Sequence, residues 1–192
     1  MINQLNQKGQ GLLEMVFAIG ILVIVATSIL ALAISNVTGQ QESEVQIIAN
    51  NLSREAIEVV RSARDSNWLA GNTWDIGLVS GTAIVIFDPL TNSWQIDFDF
   101  SDQDTNIYLT NLGVYTNLPA GNLTVYRRLV EIYNICLVES GGNQGQEIIG
   151  ELEQDCSPDQ QKVGLKVIAK VFWNQKGRDR QIQLQDLLYA WK

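Results

Sequence analysis

Residues 15–41 contain no charged side chain, and this run follows directly on a Lys8-Gly9 pair and a single acid, Glu14. Residues 12–34 are apolar apart from Glu14, Gly20, Thr27 and Ser28. As a helix rising about 1.5 Å per residue, that stretch spans roughly 35 Å, enough to cross the hydrocarbon core of a bilayer. A chain that opens in this way has to give the segment to lipid or to other chains. The acid adds a second constraint, because a carboxylate low in a membrane helix costs about 3 kcal/mol or more unless it meets a partner or reaches the interface.

Beyond Gly39 the helical pattern changes character. Val45, Ile48, Leu52, Ala56, Val59 and Ala63 recur at three- and four-residue steps, while Glu42, Glu44, Arg54, Glu55, Glu58, Arg61 and Arg64 fill most other directions. This predicts an amphipathic helix over 37–68, following a membrane-spanning or assembly helix over 10–36. Gly39, with Asn36 and Thr38 beside it, is a weak point in helix propensity, readable as a site of bending or as a loop where the chain leaves lipid. Ser66-Asn67 and Gly71-Asn72 end the pattern, which places the helix terminus at 65–68.

The remainder, 69–192, reads as a β-sheet head domain. Residues 82–87 are a β-branched run, 88–93 carry turn chemistry, and 94–100 alternate Trp94, Ile96, Phe98 and Phe100 with Gln95, Asp97 and Asp99. A longer strand is expected over 123–138. The last hairpin is the clearest, with strands at 163–173 and 178–185 around a turn at 174–177, and Ile182 and Leu184 set against Gln181, Gln183 and Gln185. The tail Leu187, Leu188, Tyr189 and Trp191 is expected to form a final pairing or a short helical turn. The fold class is therefore α+β: a long N-terminal helix, one half transmembrane and one half amphipathic, packed on a C-terminal antiparallel β-sheet.

The N-terminal residues resemble a known family. A short polar leader ending in Lys8-Gly9, Glu14 fifth after that glycine, and about 20 apolar residues are similar to the class III signal of type IV prepilins and pseudopilins. The resemblance implies a leader over 1–9, cleavage between Gly9 and Gln10 by a prepilin peptidase, N-methylation of Gln10, and pairing of Glu14 with the N-terminal amine of a neighbouring subunit during assembly. It implies as partners other pilin or pseudopilin subunits, the prepilin peptidase, an inner-membrane assembly platform, and lipid before assembly. The implied location is a single-pass cell membrane protein with its head outside the cytoplasm, then a cell-surface filament of type IV pilus, type II secretion or competence type. Family members commonly start with Phe-Thr where this chain has Gln10-Gly11, and many major pilins carry a helix proline, whereas the first proline here is Pro89. An unkinked helix fits a minor pilin or pseudopilin. Val167, Val171, Trp173, Gly177, Arg178, Arg180, Leu184 and Leu188 are also similar to the ending of some minor pilins. An unmethylated Gln10 amine could cyclise to neutral pyroglutamate and remove the cation that Glu14 needs, so methyl-Gln10 is the expected mature terminus.

Other readings of the same residues stay open. Ala31-Leu32-Ala33 fits an A-x-A secretory cleavage site, although the apolar core exceeds the usual 7–15 residues. The main alternative is a single-pass anchored binding or adhesion domain that does not polymerise, with Trp68, Trp74, Trp94, Trp173 and Trp191 either stacking on sugars or filling a core.

Composition narrows the chemistry. With no histidine, Ser-His and Cys-His nucleophile pairs and most catalytic zinc sites are excluded, and nothing singles out a carboxylate pair; no enzymatic role and no cofactor are expected. A net charge of −8 disfavours nucleic acid, with Arg127-Arg128 and 176–180 the local concentrations of positive charge. Cys136 and Cys156, 20 residues apart with no CxxC, favour a structural disulfide over two buried thiols. Asp97, Asp99, Asp102 and Asp104, near Asn106, form the one weak calcium candidate. They lack the glycine and distal glutamate of an EF-hand, and the alternative is the wet side of a strand.

Overall fold

The structure is a computed structural model in which residues 10–138 and 145–190 are described. Among the described residues one α-helix, α1 (Gln10–Leu69), precedes eight strands. By its internal contacts the chain divides at Gln46/Ile47 into two units. The first contains the apolar part of α1. The helix runs through Gly39 without a break, so no loop forms there, and Ser43 Oγ donates back to the Gly39 carbonyl at 2.9 Å.

In the second unit α1 buries Ala49, Leu52, Ala56, Ile57, Val59 and Val60, close to the expected stripe. The helix ends one residue past the expected range, and its stop is chemical. Gly71 takes φ 74°, the Asn72 N–H bonds the Asn67 carbonyl, and the Gly71 N–H bonds the Trp68 carbonyl. That is a Schellman cap, in which a residue without Cβ satisfies two orphan carbonyls at no steric cost. Asn67 Nδ2 then donates to the carbonyls of Trp74 and Ile76 and ties down the following loop.

The sheet is organised on one strand. β5 (Asn122–Val138) is 17 residues long. Along one edge it pairs in turn with β3 (Asn106–Leu109), β1 (Gly81–Asp88) and β6 (Gln146–Ile149), and along the other with β7 (Gln160–Gln175), all antiparallel. β2 (Ser93–Asp97) extends β1, β4 (Tyr115–Thr116) extends β3, and β8 (Arg178–Tyr189) extends β7. Directly opposed residues share a face, so Val130 with Ala169 and Ile132 with Val167 turn the same way. With Val85, Leu165 and Leu188 they meet Ala56, Ile57, Val59 and Val60 of α1 in one core. Each Val, Ile or Leu among them stabilises by roughly 1.5–3 kcal/mol when fully buried.

Two departures from the sequence reading of the strands have physical causes. β2 stops at Asp97 because Asp97 Oδ1 accepts the Asp99 N–H at 2.9 Å, a local turn that competes with the ladder, so Phe98 and Phe100 lie outside the strand. The final hairpin closes through Lys176 and Gly177 alone, with φ 53° and 74°, the two left-handed residues a tight hairpin requires. The tail takes the first of its two expected forms, a final pairing: β8 continues to Tyr189 and Leu188 is buried, while Trp191 lies outside the described residues.

The third correction concerns Arg128, which is no surface basic patch. Its side chain is fully buried. Nη1 donates to Glu55 Oε1 at 2.6 Å and to the Leu52 carbonyl at 3.3 Å, and Nη2 to the Val85 carbonyl at 3.0 Å and Asn117 Oδ1 at 3.1 Å. Desolvation weakens its hold on its proton, while Glu55 acts in the opposite sense. Removing one member of a buried pair typically costs about 3–5 kcal/mol because the other members lose their partners. Arg128→Met is expected to lower unfolding stability by about that amount, checked by denaturant titration followed by near-UV circular dichroism. A loss below about 1 kcal/mol would show that the network is dispensable.

Candidate functional site

Two regions hold the residues singled out by sequence: the start of α1 and the cysteine loop. Gly9 and Lys8 lie outside the described residues. Gln10 is the first residue of α1, and Glu14 follows four residues later, so the two positions share one helix face. From Gly11 to Val37 every residue is exposed, including Phe17, Leu22 and Ile24 at about two-thirds of their surface. By length and composition the helix is able to cross a membrane.

Its polar residues fit that setting. Thr27 Oγ1 donates to the carbonyls of Val23 and Ile24, each at 3.0 Å, and Ser28 Oγ donates to the Ile24 carbonyl at 2.8 Å. Both hydroxyls are thus satisfied inside the helix, as a hydrocarbon environment demands. Glu14 differs. Among the described residues its carboxylate has no hydrogen-bond or ion-pair partner, so whatever satisfies it comes from elsewhere.

Cys136 and Cys156 form a disulfide, with Cα atoms 5.7 Å apart, inside the range that the bond geometry allows. Cys136 sits at the buried end of β5, where Ile148 of β6 is its cross-strand neighbour. The segment before Cys156 is pinned to the same strand. Asn134 Nδ2 donates to the Gln154 carbonyl at 3.0 Å and to Asp155 Oδ1 at 3.1 Å, and the Gly150 N–H donates to the Asn134 carbonyl at 2.9 Å. The covalent bond and these hydrogen bonds hold one loop against one strand.

The aspartates are not gathered. Among the described residues no group of three or more His, Cys, Asp or Glu side chains is placed to hold a metal ion. Asp97 caps its own turn, and Asp102 stands 3.5 Å from Arg127. Asp104 Oδ2 accepts both the Ser101 N–H at 2.8 Å and the Ser101 hydroxyl at 2.7 Å. These two donors, the backbone N–H foremost, hold the Asp104 carboxyl below its ordinary value. Asp102 and Asp104 belong to a short 3-10 turn, Asp102–Thr105, that Ser101 and Asp104 cap.

The tryptophans divide. Trp173 is buried, Trp74 packs against the core beneath the Lys162 ammonium, and Trp94 packs on Phe87 near Arg128. Trp68 is half exposed. Sequence reasoning missed the Arg128 network, although the inward phase Tyr126, Val130 and Ile132 also includes position 128 and was a usable signal. Comparison with protein-family profiles, with curated proteins and with solved structures finds no match.

Two measurements test this region. Replacing both cysteines by serine removes a loop closure worth roughly 3 kcal/mol in the chain-entropy model, so the melting temperature is expected to fall by about 6–12 °C; an unchanged value would mean that the hydrogen bonds of Asn134 suffice. In a carboxyl NMR titration Asp104 is expected to titrate below an ordinary aspartate, with Ser101→Ala moving it upward. The Asp104 contribution to turn stability is present above the unfolded-state value and is lost as pH falls through the lower folded one.

Proposed function

We propose that this chain is a minor pilin or pseudopilin, a structural subunit of a filament of type IV pilus, type II secretion or competence type. The observation that carries the reading is the exposed apolar helix from Gly11 to Val37, with Glu14 as its one acid and Gln10 one turn before it. Such a helix suits lipid and the packed centre of a helical filament equally, since both offer apolar surroundings and no water. Glu14 suits only a setting with a fixed cation. The amine created by cleavage after Gly9 supplies one, and methylation at Gln10 preserves it against cyclisation. Pairing that amine with Glu14 of a neighbouring subunit would set axial register, because a buried charge tolerates few positions.

In this reading the prepilin peptidase acts while the helix is in the membrane, an assembly platform extracts the subunit, and the head remains outside the cytoplasm. The role is non-enzymatic. The second reading, an anchored binding domain that does not polymerise, is favoured by the half-exposed Trp68 and predicts neither peptidase dependence nor release in sheared filament fractions.

Glu14→Ala is expected to leave the mass of the mature protein unchanged while its amount in sheared filaments falls more than about tenfold, following the loss of a buried ion pair. Normal incorporation would remove the assembly role. Intact-mass analysis is expected to show a chain starting at methylated Gln10, and a pyroglutamate terminus in assembled material would contradict the pairing.

A further inference from the structure

β8 is an edge strand: it pairs with β7 and with no other strand among the described residues. Its ladder runs without a bulge from Arg178 opposite Gln175 to Tyr189 opposite Gly164. In a hairpin closed by two residues the flanking pair exchanges both backbone hydrogen bonds, and such pairs then alternate along the ladder. Even-numbered residues of β8 therefore direct their backbone groups at β7, and odd-numbered ones point theirs away from the sheet. Two contacts agree with this phase: the Leu187 N–H donates to Asp186 Oδ1, and the Tyr189 carbonyl accepts from Arg64. The outward N–H and C=O of Gln181, Gln183 and Gln185 have no partner among the described residues.

An edge of this kind is a template for another strand, and proteins usually guard it with Pro, Lys or a bulge. Gln181-Ile182-Gln183-Leu184-Gln185 carries none of these. The stretch is flanked by opposite charges, Arg180 before it and Asp186 after it. Arg180 is exposed, with no side-chain partner among the described residues. Asp186 already holds Arg61 of α1, yet 34% of its side chain stays exposed. A carboxylate has room for a second guanidinium, since its two oxygens offer about four lone-pair sites.

We infer that β8 pairs, antiparallel, with β8 of a second copy of this chain about a two-fold axis at Gln183. In that register Gln183 faces its own copy and Gln181 faces Gln185, so the odd positions supply the hydrogen bonds that the edge lacks. Between them, on the α1 side of the sheet, Ile182 faces Leu184 and Arg180 faces Asp186, and the symmetry makes each contact twice. Moving the axis by one residue, to Ile182 or to Leu184, sets Arg180 against Leu184 or Ile182 against Asp186. Charge and apolar pattern thus select a single register. The axis stands perpendicular to the sheet, so the α1 segments within the two heads, 47–69, run in opposite directions. The partner is therefore a copy on a facing filament or membrane, not the next subunit of the same filament. The inference uses the head alone and holds for a filament subunit or an anchored domain alike.

The test uses the full chain in lipid nanodiscs that hold one copy each, which keeps the apolar helices apart. Sedimentation velocity should show discs pairing through their heads as concentration rises. Arg180→Glu, at an exposed position, should raise the dissociation constant by about tenfold or more, because it sets like charges face to face. Gln183→Pro removes one outward N–H and no ladder bond, so it should abolish pairing with the near-UV circular dichroism unchanged. Under mild oxidation Gln183→Cys should cross-link to its own copy, since Cα atoms of a hydrogen-bonded pair lie about 5.5 Å apart and within disulfide reach. Leu112→Cys, at an exposed site away from β8, should not. Single discs at every concentration, or pairing that survives Arg180→Glu or a folded Gln183→Pro, overturns the proposal. So does a Gln183→Cys variant that cross-links no better than Leu112→Cys.

Discussion

The head is organised around a cation that has no access to water. Arg128 projects from β5 into the core, and it is answered by acceptors from three other parts of the chain: Leu52 and Glu55 on α1, Val85 on β1, and Asn117 in the segment between β4 and β5. Apolar contacts tolerate sliding, because one methyl resembles another. A guanidinium with four directional bonds does not. It ties the register of the helix to the register of the strand and places both against β1. A buried ion pair adds little net stability, since its desolvation offsets its attraction. Its value here is that only one docking of α1 satisfies it.

The length of β5 gives that constraint its reach. Seventeen residues pair successively with three strands on one edge and with β7 on the other, so fixing β5 fixes most of the sheet. The disulfide acts at the far end of the same strand, through Cys136, and Asn134 supplies the hydrogen bonds beside it. Lys170 and Glu131, paired on adjacent strands at the opposite face, continue the pattern with a weaker, partly wet contact.

What could be read from the sequence followed the strength of its periodicity. The long helix, the 123–138 strand and the final hairpin all carry several turns or alternations of consistent pattern, and the structure places them within a few residues. β3, β4 and β6 are two to four residues long, too short to show any period, and each is defined only by lying against β5 or its neighbour. β2 was overread because alternation continues in residues whose backbone a side-chain cap has already turned away. The candidate residues show the same division. The cysteine pair follows from count and compartment, and Glu14 from its contrast with what surrounds it.

Polar groups without partners carry the most information in a molecule that satisfies the rest. Among the described residues three buried side-chain atoms lack a hydrogen bond: Arg128 Nε, Asn134 Oδ1 and Trp173 Nε1. The first two belong to groups whose other atoms are well bonded, so each residual cost is shared with contacts that offset it. An indole has a single polar atom. For Trp173, packed on the inward face opposite Tyr126, nothing within its own side chain compensates. Glu14 poses a related question at the other end of the chain, an acid on an apolar helix with no cation partner among the described residues.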